Sequence, residues 1–237
     1  VTLLGVTAAP AAREPSCYSA FVNEWWCAEY VDDRRDDILA ATTEHLQITV
    51  AAVLLGLLLA FPLALLARRY PRLESTILGV STGLYTIPSL ALLPLLVPFT
   101  GLSANTVIIG LGVYALTILV RGFLDGLRSV PDDVVESAVG LGYGSARLLF
   151  KVQLPLALPV LVAAMRVATV STVALTTVGT LVSYGGLGDL ISHGVQRNFR
   201  AELVTAAVLC VLLALLLDAV LVVAQRLLTP WARQEAR

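Results

Sequence analysis

Charge is scarce in this chain. Asp, Glu, Lys and Arg make up 14% of its 237 residues and hydrophobic residues 57%, whereas a soluble domain carries roughly 25% charged residues. Water is therefore not the main solvent of the folded chain. The formal net charge is −1, which excludes the basic footprint of a nucleic-acid-binding protein and any strong global steering. Cysteine is scarce too. Cys17 and Cys27 lie in a polar N-terminal region and Cys210 in an apolar run, too few for a disulfide scaffold or a zinc centre. The two histidines, His45 and His193, are far apart in sequence, and each reads as a surface or interface residue, so no metal site is expected. A phosphate-cradling G-x-x-x-x-G-K-[ST] loop is missing, and no catalytic residue is expected.

What the chain has is apolar length. Stretches at 46–67, 76–98, 103–120, 157–183 and 203–225 each approach the ~20 residues with which a helix crosses a bilayer. The expected fold is thus an all-α membrane protein of five transmembrane helices. The second stretch contains Pro88 and Pro94, tolerated in lipid only where neighbours satisfy the freed carbonyls, and should be the least regular.

Short cytoplasmic loops retain positive charge. Arg68, Arg69 and Arg72 end the first stretch, and alternation puts Arg121, Arg128, Arg147, Lys151, Arg226, Arg233 and Arg237 on the same side. The other side holds Arg13, Arg34, Arg35, Arg197 and Arg200, most of them beside acids. The N-terminus is therefore expected outside and the C-terminus in the cytoplasm. Residues 1–43 would form an extracytoplasmic extension, 44–228 the membrane domain with a long cytoplasmic loop at 122–156, and 229–237 a cytoplasmic tail. The opening "VTLLGVTAAPAAREPSC" lacks the basic start and apolar core of a secretory signal and reads as a flexible leader.

Tyr18, Phe21, Trp25 and Tyr30 recur at roughly helical spacing and predict an amphipathic helix at the outer interface, where Trp and Tyr favour the headgroup layer; a docking surface for an extracytoplasmic partner is the alternative. Cys17 and Cys27 would lie on the side where disulfides persist. One continuous helix would hold these ten-residue neighbours about 15 Å apart and forbid the bridge. Interfacial helix and disulfide are therefore alternatives.

Residues 131–155, "PDDVVESAVGLGYGSARLLFKVQLP", are polar and glycine-rich between apolar neighbours. Pro131 and Asp132 suit the first turn of a short helix, with Val134, Val135, Ala138, Val139 and Leu141 along one side. Ala138, Gly140, Gly142 and Gly144 would let a partner's backbone approach closely, and Glu136 could pair with a partner base. A plain connecting loop is the alternative.

Glu136, Ser137 and Ala138, then Gly142, then Val152, Leu154 and Pro155 resemble the E-A-A, three residues, G, nine residues, I-x-L-P signature of ABC importer permeases, with Ser137 and Val152 as mild departures. The resemblance implies a coupling helix that docks into a groove on a cytoplasmic ATPase, through Glu136, Ser137, Ala138, Gly142, Leu154 and Pro155. "EHLQIT", "TIPSLALLPLL", "LDGLRSVPDDVVESAVGLG", "LPLALPVLVAAMRVATV" and "GGLGDLI" are similar to permeases of glycine betaine, choline, carnitine and proline importers, over residues 44–228. The five-span layout also resembles the smaller type I permeases, methionine importers included. That likeness implies a multi-pass protein of the cell membrane, paired with a second permease, itself or a homologue. Two cytoplasmic ATPase subunits would hold ATP and Mg, and an extracytoplasmic binding protein would deliver substrate; this chain would hold no cofactor.

A permease for another small solute, such as an amino acid, is the nearest alternative. A secondary transporter or channel is the alternative from another class, and would need intramembrane ionisable groups; only Arg166 and Asp218 qualify. The spans offer few clustered aromatics for cation–π capture, which suits a weakly binding pathway. Its candidate groups are Thr86 and Ser89 beside Pro88, and Thr176, Thr177, Thr180 and Ser183 near the outer end of the fourth span. Bonds to local carbonyls compete for each hydroxyl. Arg166 and Asp218 lie about 13 and 12 Å from the cytoplasmic ends of their spans at 1.5 Å per residue, so they are expected to pair and to lock the fourth span to the fifth; snorkelling of Arg166 is the competing reading.

Overall fold

The computed structural model describes residues 16–230; the leader expected before them and the tail from Trp231 onward lie outside the described residues. Ala28–Asp33 forms α1 and Arg35–Arg69 forms α2, which runs unbroken through the boundary expected at 43/44. With 35 residues, α2 is about 52 Å long, well beyond the ~30 Å of a hydrocarbon core. Its ends are accordingly polar. Asp36 and Asp37 occupy the first turn and Arg68 and Arg69 the last, each sign opposing the partial charge of its helix end.

The second apolar stretch is two helices, Pro71–Thr86 (α3) and Ser89–Thr100 (α4), bent by 98°. Among the described residues four helices are long and apolar enough to cross a membrane, and the bent pair, counted as one broken span, supplies the fifth. The cause is local. Ile87 takes an extended conformation, φ −66° and ψ 124°, because proline clashes with a helical residue before it. Side chains then satisfy carbonyls at the break: the Tyr114 hydroxyl donates to Ile87, and Thr86 Oγ1 donates to the Gly83 carbonyl at 2.7 Å.

Ala104–Arg128 (α5) is the central helix and lies against α2, α3, α4 and α8 (Leu154–Thr176). Small residues set that approach. A Cβ on Gly122 would stand 2.1 Å from Ala164 Cβ, and one on Gly126 would stand 2.9 Å from Leu161. Lipid supplies no hydrophobic force between helices, so such close packing is what holds them together. One apolar cluster joins Ala60, Ala64 and Ala67 of α2 to Leu119–Leu127 of α5 and Ala157 and Leu161 of α8; a second gathers Ile48, Leu93, Leu111 and Tyr114 toward the other end.

Between α5 and α8 lie Asp132–Gly140 (α6), Ser145–Leu148 (α7) and a π turn at Leu149–Gln153. After α8 come a 3₁₀ turn at Thr177–Val182, Leu187–Gln196 (α9) and Arg200–Leu228 (α10). Within the stretch expected as a cytoplasmic loop at 122–156, α5 continues to Arg128 and the chain is helical again from Ser145.

The interfacial helix expected from Tyr18 to Tyr30 is corrected. Residues 17–22 are turns, and helix begins only at Ala28. Cys17 and Cys27 are joined in a disulfide with Cα atoms 5.8 Å apart, and Asn23 sits at φ 44°, both incompatible with one continuous helix. The aromatics consequently part company. Tyr18 and Tyr30 pack on Phe199, whereas Phe21 is 97% exposed and Trp25 stacks under Arg200. Tyr18 donates its hydroxyl to Asp33 at 2.6 Å, a bond that raises its pKa; burial, then Glu202, raises that of Tyr30.

Candidate functional site

The segment between α5 and α8 is built by its two prolines and one glycine. Pro131, at φ −59° and ψ 139°, precedes α6, and Asp132 and Asp133 fill the first turn, where acids oppose the helix dipole. The far end closes with the paired bonds of a Schellman turn: Tyr143 N–H donates to the Ala138 carbonyl at 3.1 Å and Gly142 N–H to the Val139 carbonyl at 2.9 Å. That turn needs a left-handed residue after the cap, and Gly142 supplies it at φ +82°. A Cβ there would meet nothing within 4 Å, so the constraint on Gly142 is conformational rather than steric.

One face of α6 is spent inside the chain. Val135 packs on the larger apolar cluster, and Ala138, three residues on, is 7% exposed. Residues three apart share a helix face, and this one is the inner face, so Ala138 itself offers a partner little surface. Outward lie Asp133, Glu136, Ser137, Val139 and Gly140, followed by Leu141 at 79% exposure, Gly142 and Gly144. The side expected to be uniformly apolar is therefore divided, with Val139 and Leu141 on the open side.

Leu154 packs against the same cluster, and Pro155 stands in the first turn of α8. Proline offers no N–H to the carbonyl four residues back and crowds it. The widened π turn directly before it accommodates that defect, so Ser145–Val182 continues as one helical run. Arg68 donates to Gln153 Oε1 at 2.8 Å and so ties the π turn to the end of α2. Both outcomes assign Leu154 and Pro155 to the rigid connection behind α6 rather than to its open face.

At the opposite end of α8 the packing is closed. His45, expected at a surface or interface, is 0% exposed inside the chain: its Nε2 lies 3.0 Å from the Val173 carbonyl and its Nδ1 3.2 Å from the Gly185 carbonyl. That correction has a steric origin. Gly186, at φ +55°, sits so close that a Cβ would stand 2.7 Å from His45 N and from the Ala41 carbonyl oxygen, and a Cβ on Gly188 would stand 2.3 Å from the Thr177 carbonyl oxygen. Asp189 accepts the Gly185 N–H at 3.1 Å. The strings "EHLQIT" and "GGLGDLI" are thus one packing unit, a contact that nothing in either string signals. His193 is partly exposed, with Nδ1 2.8 Å from Glu202 Oε2.

The hydroxyl candidates for a pathway separate into two groups. Thr176 is buried, donates to the Thr172 carbonyl at 2.8 Å and meets Thr49 at 3.0 Å, so it lines no surface of this chain. Thr86 is exposed but donates to the Gly83 carbonyl, and Thr177 donates to that of Ala174, each at 2.7 Å. Thr177 and Thr180 lie on the 3₁₀ turn that packs on α4, the helix Ser89 opens; Ser183, exposed at φ 62°, ends that turn.

Arg166 and Asp218 face each other across α8 and α10. Arg166 Nε lies 2.7 Å from Asp218 Oδ1 and Nη2 lies 2.9 Å from Oδ2, a bidentate pair.

A family model described as binding-protein-dependent transport system inner membrane component matches residues 52–234. The chain is 34% identical to the carnitine transport permease protein OpuCB of Listeria monocytogenes over 88% of this chain and 95% of that one. It is 33% identical to the choline transport system permease protein OpuBB of Bacillus subtilis, over 88% and 96% respectively. The osmoprotectant import permease protein OsmW of Salmonella typhimurium is 32% identical over 85% of this chain and 96% of its own. Among solved structures, two inward-facing forms of the MetNI methionine ABC transporter superpose with TM-scores of 0.72 and 0.77, at 25% and 23% identity, over 81% and 84% of this chain and 96% and 99% of theirs.

Proposed function

The chain belongs to the family of binding-protein-dependent transport system inner membrane components, and on that premise we propose that it carries a compatible solute of the glycine betaine, choline, carnitine or proline kind across the cell membrane. It is the membrane-spanning permease of an ABC importer, a transport subunit with several spanning helices. The relatives named for carnitine, choline and osmoprotectants match nearly their whole length, which supports that substrate class over an amino acid. ATP and Mg belong on two partner ATPase subunits in this reading, a binding protein delivers the solute from outside, and a second permease, self or homologue, completes the path. The N-terminus faces outward.

One observation carries the mechanism: α6 holds an outward face at Glu136 while Val135 packs on the apolar cluster shared by α2, α5 and α8, and the chain runs on through the π turn into α8. In this reading a force applied at Glu136, Ser137 and Leu141 passes to α8 through the Val135 contact and the π turn. Closure of the ATPases would draw two such helices together and rock the α8 helices between inward- and outward-facing states, each state being favoured by a different nucleotide condition. Arg166 and Asp218, the opposite charges expected well inside the spans, bond each other, which weighs against their serving as the coupling groups of a secondary transporter.

The test is uptake of labelled glycine betaine, carnitine, choline, proline and methionine by the permease reconstituted with its ATPase and binding protein. ATP-dependent accumulation of at least one of the first four, stronger than that of methionine, is expected. Accumulation that needs no ATP, or that is confined to methionine, overturns the reading.

A further inference from the structure

We propose that the groove between α8 and α10 is a subsite for a zwitterion, with Arg166 taking the carboxylate and Asp218 the alkylated ammonium. The inference rests on the compatible-solute reading and places its ligand. Three observations meet here. A cavity of about 550 Å³ opens between the two helices, lined by Ala163, Arg166, Val170, Ser171, Ala214 and Asp218. The side chains of Arg166 and Asp218 remain 36% and 28% exposed although they bond each other. Both stand well inside their helices, twelve residues from the start of α8 and ten from the end of α10.

Hydrocarbon is a poor cover for such a pair, because charges at membrane depth face protein or water. What fills the groove must therefore be polar where it meets the pair. Apart from Ser171 its other walls are apolar, with Val167, Val170 and Leu215 beside two alanines, the usual lining of a small-molecule site of roughly 300–1,000 Å³, and Ala163 and Ala214 leave room for a bulky methylated ammonium. Charge balance selects the zwitterion. The pair uses two of the five guanidinium N–H donors, so a carboxylate can bind Arg166 before or as Asp218 lets go, while the ammonium end compensates Asp218. A zwitterion adds no net charge to the groove at any stage. A cation such as choline can engage only Asp218.

The arrangement also explains how affinity could change during a cycle. Arg166 rides on the helical run that begins at α7 and Asp218 on α10, so movement of α8 against α10 opens or closes the pair. A ligand held differently by the two states is what couples binding to the transition.

The experiment uses the complete complex in liposomes, with ATPase copurification and thermal unfolding as assembly readouts. Arg166→Gln should lower uptake of glycine betaine and carnitine at least tenfold relative to choline, and Asp218→Asn should lower all three. As a second measurement with the pair intact, Val170→Cys should react with a thiol reagent at least fivefold more slowly in saturating glycine betaine. Parallel loss of all three substrates in Arg166→Gln, together with no protection of Cys at 170, would reduce the pair to a helix lock and overturn the site alone. Failure of the unsubstituted complex to take up any of these solutes overturns the proposed function, and the site with it.

Discussion

Two glycine-rich connections flank α8, and composition hardly distinguishes them. Residues 140–144, before it, hold Gly140, Gly142 and Gly144; residues 185–188, after it, hold Gly185, Gly186 and Gly188. Space distinguishes them at once. A Cβ on any of the first three meets nothing within 4 Å, whereas one on any of the second three would stand under 3 Å from backbone. The first connection leaves Glu136, Val139 and Leu141 open to a partner; the second spends its surface on His45 and Thr177 of its own chain. Glycine thus marks an approach by something outside in one place and by the chain itself in the other.

The contrast is broken most directly at Gly188. Gly188→Ala pushes a methyl against the Thr177 backbone, and overpacking a site with no flexible neighbour should cost about 3 kcal/mol, read as a lowered unfolding temperature in detergent. Gly140→Ala should leave that temperature unchanged or slightly raised, since alanine is the better helix residue by about 0.5–1 kcal/mol; equal losses at both positions would erase the distinction. Next in size is the Cys17–Cys27 bridge at the closed end. Cys17→Ser with Cys27→Ser should destabilise by about 2–3 kcal/mol in the chain-entropy model for a loop of this length, seen as earlier proteolysis near Asn23 while the ATPase still copurifies.

His45→Leu removes the ring that sits between the Val173 and Gly185 carbonyls. A loss of about 2 kcal/mol is expected from the lost imidazole hydrogen bond and the buried carbonyl left unpaired, with residues 185–188 exchanging amide hydrogen faster; unchanged exchange would place the strength of that contact elsewhere. Gly142→Ala should cost about 1–2 kcal/mol from its left-handed backbone alone, and ATPase association should weaken because the turn after α6 is deformed. The smallest effect on stability belongs to Glu136→Gln, within about 0.5 kcal/mol as for any exposed substitution. Its effect on association should be large, and a variant that still holds the ATPase at unsubstituted strength would remove Glu136 from the docking face.

Much of the membrane domain was legible because lipid imposes a simple rule. A helix of apolar residues announces itself by length, and the break at Ile87 follows from Pro88 through local sterics alone. The turn that ends α6 was less visible: Gly142 stood out by its place in a motif, but the reason for it, a positive φ closing two backbone bonds, appears only in the folded chain. Ala138 was ambiguous because small residues suit two purposes, and that its methyl lies on Val135's side of the helix is decided by packing. The pairing of Arg166 with Asp218 was foreseen from matched depth; the open groove beside them was not, since it depends on how far α8 and α10 separate.

By itself the sequence determined which segments leave water, where proline interrupts them and which side of each span is rich in cations. These are properties of single segments, set by transfer free energy and by backbone sterics that act within a few residues. Only the tertiary structure decided that His45 is buried under Gly186, that Thr176 turns to Thr49, that Cys17 reaches Cys27 and that α6 shows Glu136 outward. Each of these is a choice among surfaces that are equivalent in composition. That choice is made by close packing between distant segments, whose contact no local pattern encodes.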